Sequence, residues 1–311
     1  MIHSGKKAVV LGLGHSGEAA ATLLIEEGAQ VTVSESVDSP AIRAKGEDLQ
    51  KRGANVLIGP EADIDPANYD VAILSPGIEP TAPLVRNVVA KGIPIIGELE
   101  LAFQECTCPV VAITGTNGKT TTTELCTHIL LQCGIRTMAS GNIGLPFAKA
   151  VRQSQNLDVM VLEVSSFQLE TVKSFHPKVA AWLNFSPNHL DRYTNVQEYR
   201  DAKLRILENL TAEDTLVINA QTDPLSTAAK IITFSAVKEE ADFTLKNTTI
   251  HFRGIPVIDQ DSTNLQGIHN AENIMAALGI GMALHIDLAS MAAAIASYTP
   301  PVHRCEFVRE L

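Results

Sequence analysis

Val110-Val-Ala-Ile-Thr-Gly-Thr-Asn-Gly-Lys-Thr-Thr-Thr-Thr-Glu124 is the stretch whose reading decides the fold. Its apolar start, Val110 to Thr114, reads as a buried strand. Gly115-Thr-Asn-Gly118 reads as a tight turn, and Lys119 opens a segment of helical character. A strand that turns through glycines into a helix aims backbone N–H groups and the positive end of the helix dipole at one point. Lys119 adds a full charge there, and the Thr120 hydroxyl is placed to ligate Mg²⁺. The spacing is G-x-x-G-K-T, shorter than the common G-x-x-x-x-G-K-[ST], which would need glycine where Ile113 stands. The competing reading, a threonine-rich turn with a chance lysine, does not explain why strand, glycines, lysine and helix arrive in order. The stretch predicts a nucleoside triphosphate site.

Upstream of this loop the chain alternates. Ala8–Leu13, Val31–Ser34, Val71–Ser75 and Ile93–Ile96 read as strands, with helices over Gly17–Glu27 and Pro83–Lys91 and a polar stretch between Ser34 and Val71. That rhythm predicts a mainly parallel sheet with helices on both faces. Downstream, Val159–Glu163, Val179–Phe185 and Thr215–Asn219 read as buried strands. Helices are expected near Thr120–Cys133, Tyr199–Asn209, His269–Leu284 and Asp287–Ser297. Ile231–Ser235, Phe243–Leu245 and Thr249–Phe252 suit a small antiparallel extension. The fold class is therefore α/β, a Rossmann-like domain over residues 1–106 followed by a phosphate-loop domain over residues 107–301. Residues 302–311 begin a strand-like alternation and stop, so they read as the start of a further domain that is absent.

Bulk composition narrows the partners. A net charge of −11 over 311 residues argues against nucleic acid, since phosphate neutralisation needs a basic surface. The five cysteines, Cys106, Cys108, Cys126, Cys133 and Cys305, form no disulfide framework and no paired zinc motif, and read as reduced thiols. There is no signal-peptide core, and the apolar run Ile274–Ala296 is interrupted by His285 and Asp287. A cytoplasmic protein without membrane insertion is expected.

Three further constellations bear on chemistry. Gly12-Leu-Gly-His-Ser-Gly17 after a strand, with Glu35 at the end of the next, is a dinucleotide fingerprint: glycines admit a pyrophosphate and the acid takes a ribose diol. Alone it supports an NAD-dependent oxidoreductase as well as a packing turn. Glu163, at the carboxyl end of a buried strand beside the phosphate loop, is placed to be a second Mg²⁺ ligand. Asn184-Phe-Ser-Pro-Asn-His-Leu-Asp-Arg-Tyr193 follows another buried strand, and His189 there suits a metal or a phosphate. Nothing in local chemistry singles out Lys203.

Together these pieces resemble the Mur ligases. Gly12–Gly17, Ser75-Pro-Gly-Ile78, Thr114–Thr121, Gly141-Asn-Ile-Gly144, Leu162–Glu170, His189-Leu-Asp-Arg-Tyr193, Ala202-Lys-Leu204, Gly267-Ile-His-Asn270 and His303-Arg304 stand in that family's order. Ser165-Ser-Phe-Gln-Leu-Glu170 is closest to the D-glutamate-adding branch.

The resemblance implies an ATP-dependent amide ligase of peptidoglycan precursor synthesis, joining D-glutamate to UDP-N-acetylmuramoyl-L-alanine through an acyl phosphate and working as a monomer. It implies ATP contacts from Asn117, Gly118, Lys119, Thr120, Thr121, Asn273 and Arg304. Substrate contacts would come from Gly14, His15, Ser16, Glu35, Ser36, Ser75, Gly77, Asn142, Ser165 and His189. Two Mg²⁺ sites would draw on Thr120, Glu163, His189 and a carbamylated Lys203, with Lys119, His189 and Lys203 acting in catalysis. Two positions depart from the pattern: Asn188 replaces the family's aspartate before His189, and Val37 stands where some members carry arginine. The family's next domain holds most D-glutamate contacts, so the chain as given is expected to bind UDP substrate without completing ligation. A non-catalytic nucleotide-binding fragment remains the other reading.

Overall fold

The computed structural model describes residues 2–59, 62, 64–223 and 225–300. His303, Arg304 and the expected start of a further domain lie outside the described residues. Contacts divide the chain into two compact units. The first runs to Thr107 and also takes residues 144–155 and 166–175; the second holds 108–143, 156–165 and the chain from 176 onward. Packing breaks between Thr107 and Cys108, and two later stretches fold with the first unit.

The first unit contains β1 (Lys7–Leu11), α1 (His15–Glu26), β2 (Gln30–Glu35), α2 (Pro40–Lys51), β3 (Asn55–Ile58), β4 (Val71–Leu74), α3 (Pro83–Ala90), β5 (Ile95–Gly97) and α4 (Glu98–Glu105). All five strands are parallel, in the order β3-β2-β1-β4-β5. Parallel strands covered on both faces must be apolar throughout, and in β1 Ala8, Val9, Val10 and Leu11 are fully buried. α2 and β3 fill the stretch that reads as merely polar. The helix starts with Ser39, whose Oγ accepts the Ile42 N–H at 3.3 Å, and with Pro40 in its first turn, a start signal independent of hydrophobicity.

The second half of the chain contributes β6 (Val110–Thr114), α5 (Lys119–Gln132), β7 (Thr137–Gly141), α6 (Phe147–Ala150), β8 (Val159–Glu163), α7 (Ser166–Leu169), β9 (Val179–Trp182), α8 (Val196–Leu204), β10 (Thr215–Asn219), β11 (Lys230–Ser235), β12 (Phe243–Lys246), β13 (Thr249–Phe252), β14 (Ile255–Asp259), α9 (Ile268–Ala283) and α10 (Leu288–Ala296). α6 and α7 belong to the first unit. The nine strands form one sheet ordered β14-β13-β12-β11-β10-β9-β6-β8-β7. It is parallel from β7 through β12, so β11, expected in the antiparallel extension, belongs instead to the parallel part, and that extension consists of β12, β13 and the unexpected β14. α5 buries Leu125, Cys126, Ile129 and Leu130, a single helical face, against Val111 and Ile113 of β6 and Val159 and Val161 of β8. That packing puts the helix N-terminus at the carboxyl ends of the central strands, where ligands of such sheets bind. No described helix is long and apolar enough to cross a membrane.

Candidate active site

β6 lies between β9 and β8, is buried along its length, and releases the chain at Thr114 into the glycine turn. Gly118 caps α5 in the left-handed region at φ +81°. A Cβ there would stand 2.4 Å from Asn273 Oδ1, so both the conformation and the space require glycine. Asn273 sits beneath the loop as a polar strut: its Oδ1 accepts the Thr122 hydroxyl at 3.2 Å and its Nδ2 donates to Asn270 Oδ1 at 3.2 Å. Asn184 clamps the loop from the other side. It accepts the Asn117 N–H at 2.8 Å and donates its amide to Asn117 O at 3.0 Å. The role of Asn184 is absent from the sequence reading, because a reciprocal amide clamp has no motif.

Two lysines converge on one carbonyl. Lys119 Nζ donates to Gly115 O at 3.0 Å and Thr116 O at 3.1 Å, while Lys203 Nζ donates to the same Gly115 O at 2.9 Å. Lys203 is 1% exposed and also lies 3.4 Å from Thr114 Oγ1. Burial, followed by the neighbouring Lys119 ammonium, pulls its pKa down to about 7 against the opposing pull of Glu163. Burial lowers the Lys119 pKa as well, again opposed by Glu163. Lys203 is thus the residue that local sequence chemistry did not pick and that the tertiary structure brings beside the phosphate loop.

Glu163 ends β8 at 2% exposure. Its Oε1 accepts the Asn142 amide at 3.0 Å, and its main-chain oxygen accepts the Asn142 N–H at 2.9 Å. Its buried Oε2 has no hydrogen-bond partner among the described residues. A buried, unpaired carboxylate oxygen facing two lysines is what a cation or a third donor would satisfy, so the donor chemistry fits a hard divalent ion. Among the described residues, however, no group of three or more His, Cys, Asp or Glu is gathered as a metal cluster. Thr120 stands in the first turn of α5.

His189 adopts φ 55°, an uncommon conformation for a side-chain-bearing residue and one that clusters at functional sites. Its backbone N–H is received by Asn188 Oδ1 at 2.8 Å, so the departure at Asn188 supports the turn locally. The imidazole packs edge-on against Tyr199 with centroids 5.7 Å apart. Ser165 follows β8 and is half-buried.

A cavity of about 930 Å³ opens beside the loop. Asn117, Gly118, Thr121 and Asn273 line it, as the ATP assignment implies, together with Phe234, Asn270, Gln221 and Glu272, which the sequence reading did not assign.

The first unit presents a second glycine loop at a helix N-terminus. Gly14 caps α1, a twelve-residue helix, with His15 and Ser16 opening its first turn. The space above Gly14 is open, whereas a Cβ on Gly17 would stand 2.0 Å from Gly12 O. The first position admits a ligand and the second permits the helix to touch the strand turn. Both Glu35 oxygens hold backbone: Oε2 accepts Leu13 N–H and Oε1 accepts Val37 N–H, each at 2.7 Å. Glu35 therefore shapes the glycine loop, alongside any diol it meets. Ser75 is buried and its hydroxyl donates to Gly12 O at 3.1 Å, while Ser36 and Gly77 are exposed beside the loop.

Fold and site define an α/β nucleotide-binding protein with a phosphate loop in one unit and a glycine loop opening a helix in the other. Residues 113–281 match the Mur ligase middle domain, and residues 6–97 match the MurD-like N-terminal domain of Mur ligases. The chain belongs to the Mur ligase family. It is 39% identical to a UDP-N-acetylmuramoylalanine–D-glutamate ligase of Geobacter metallireducens over 99% of this chain and 70% of that protein. A protein of the same name from Koribacter versatilis is 38% identical over 97% of this chain and 69% of its own length. The chain thus spans about 70% of these relatives. Among solved structures, the UDP-N-acetylmuramate:L-alanyl-gamma-D-glutamyl-meso-diaminopimelate ligase from Neisseria meningitides shares the fold. Its TM-score is 0.65 at 18% identity, covering 97% of this chain and all of that one. MurF from Acinetobacter baumannii gives 0.57 at 17% identity, over 99% of this chain and 63% of its own.

Proposed function

We propose that this chain holds the UDP substrate and ATP for the ATP-dependent joining of D-glutamate to UDP-N-acetylmuramoyl-L-alanine in peptidoglycan precursor synthesis, as a cytoplasmic monomer. The observation that carries this reading is the convergence of Lys119, Lys203 and Glu163 on the phosphate loop of a chain whose relatives bear that ligase name. The α1 N-terminus seats the UDP pyrophosphate, with Gly14, His15 and Ser16 around it and Glu35, Ser36, Ser75 and Gly77 alongside. The fingerprint is then used without a nicotinamide. Asn117 to Thr121 and Asn273 hold the ATP, and Asn142, Ser165 and His189 face the muramoyl-alanine moiety. The role given to Arg304 falls outside the described residues.

Transfer of the γ-phosphoryl group to the substrate carboxylate gives an acyl phosphate, and the D-glutamate amine then displaces phosphate through a tetrahedral intermediate. Before that step Lys119 turns from its own loop carbonyls to the β- and γ-phosphates, exchanging neutral acceptors for charged ones. Mg²⁺, when bound, spreads the negative charge that develops on the transferring group. Thr120 and Glu163 are the residues that would hold it. As the resemblance implies, Lys203 would add its neutral amine to CO₂, forming a carbamate and releasing one proton, and that carbamate, with His189 and Glu163, would hold a second ion. An unperturbed lysine is neutral in roughly one molecule in 3,000 at pH 7, whereas a pKa of about 7 makes half the population nucleophilic.

Calorimetric titration tests the reading. Saturable binding of UDP-N-acetylmuramoyl-L-alanine and of magnesium AMP-PNP, with none of NADH, is expected. Binding of NADH without the UDP compound would refute it and restore the oxidoreductase.

A further inference from the structure

Tyr199 lies at the centre of the phosphate-loop site and no step above uses it. It is 1% exposed and sits on α8, one helical turn before Lys203. The helix is started by Asn195, whose Oδ1 accepts the Glu198 N–H at 2.9 Å, and that start sets the rotation of both side chains. Three surfaces of the one ring meet three parts of the site. The hydroxyl stands 3.4 Å from Thr116 Oγ1 in the phosphate loop, and that same oxygen accepts the Ser186 N–H at 3.0 Å. The ring face lies under Lys203 Nζ, 5.0 Å from the centroid. The His189 imidazole meets the ring at 69°. Phe185 at 5.3 Å and Tyr193 at 5.4 Å pack against the same ring.

We infer that Tyr199 is a positioning residue that sets the spacing of the phosphate loop, Lys203 and His189 as one rigid body. The significance for phosphoryl transfer rests on the function proposed above. A tyrosine has two side-chain torsions, and walls of Phe185 and Tyr193 leave it no alternative rotamer without a void. Its face attracts a cation and its edge meets an aromatic partner, so Lys203 and His189 are referred to one plane. The hydroxyl ties that plane to Thr116. Displacement of the ring would shift all three groups together, and errors of about 1 Å in such a site are costly on the order of 100-fold.

Nuclear magnetic resonance and calorimetry on the 311-residue chain test this with Tyr199→Phe and Tyr199→Met. The second keeps most of the volume and is chosen because methionine adapts to core gaps. With Tyr199→Phe, the His189 ring resonances are expected to stay near their wild-type positions, since face and edge remain, while the affinity for magnesium AMP-PNP falls by roughly threefold, since the tie to Thr116 is lost. With Tyr199→Met, the His189 resonances are expected to move and nucleotide affinity to drop on the order of tenfold. A folded Tyr199→Met chain with unshifted His189 resonances and unchanged affinity would overturn the inference. In the wild-type chain, Lys203 Hε protons are expected upfield from the ring current; random-coil values there would overturn it without any variant. If wild type binds no nucleotide, the functional reading fails, and the His189 and Lys203 resonances still decide the role of Tyr199.

Discussion

Replacing Glu98 with glutamine is expected to remove a pH dependence of stability that runs opposite to the usual one for a carboxylate. Glu98 begins α4 with its side chain wholly buried, and its Oε1 accepts the Ala148 N–H at 2.6 Å. Burial raises its pKa to about 7, and hydrogen bonds from Ala148, Gln168 and Phe147 offset only part of that rise. In the folded chain it holds its proton up to about 7, whereas unfolded it releases it near the ordinary 4.5. The folded state therefore binds more protons between those values, and the contribution is fully present below 4.5 and is lost as pH rises through 7. At about 1.4 kcal/mol per pH unit, the loss approaches about 3 kcal/mol. Glutamine cannot titrate, and its amide oxygen still accepts the Ala148 N–H. The stability of Glu98→Gln relative to wild type should rise by up to about 3 kcal/mol from pH 4.5 to 8. Urea unfolding followed by far-ultraviolet circular dichroism at a series of pH values measures this. Trp182 fluorescence does not serve, because that tryptophan lies in the second unit. A stability difference constant across the range would refute the reasoning. Glu100, two residues on, supplies the contrast. Burial would raise it too, but N–H groups of Lys173, Ser174 and Phe175 and the Ser174 hydroxyl hold its pKa below the ordinary value.

Gly118→Ala should weaken magnesium AMP-PNP binding at least tenfold by calorimetry, since a left-handed residue and a Cβ 2.4 Å from Asn273 Oδ1 deform the loop; unchanged affinity would show that the loop does not bind phosphate. Gly17→Ala should lower the stability of the first unit by several kcal/mol, because its Cβ meets a backbone carbonyl that cannot move cheaply. Amide exchange of Val9 and Val10 in β1 reads that loss, and protection equal to wild type would contradict it.

Much of the fold was legible because apolar strands and glycine turns are local signals. β1, β6, β8 and β10 are unbroken apolar runs, and Gly12–Gly17 and Gly115–Gly118 punctuate them. β7 was not legible: Thr137-Met-Ala-Ser-Gly141 is an edge strand whose buried positions are Thr137, Ser140 and Gly141, so no apolar run marks it. β3 is short, and α2 buries only Gly46 and Leu49, so neither carries a strong period. Asn117, Gly118, Lys119 and Thr120 follow from the loop motif itself. Asn184, Glu98 and Tyr199 carry no such motif, since each acts on residues distant in the chain.

The amino-acid order by itself determined the parallel α/β class, the phosphate loop, and the glycine turn at Gly12–Gly17, because each is specified by residues adjacent in the chain. Only the tertiary structure decided that Lys119 and Lys203 share the Gly115 carbonyl, that residues 144–155 and 166–175 fold with the first unit, and that Glu98 titrates near neutrality. The physical reason is that desolvation and convergence of charge depend on which distant segments exclude water from a group. No local spacing encodes that.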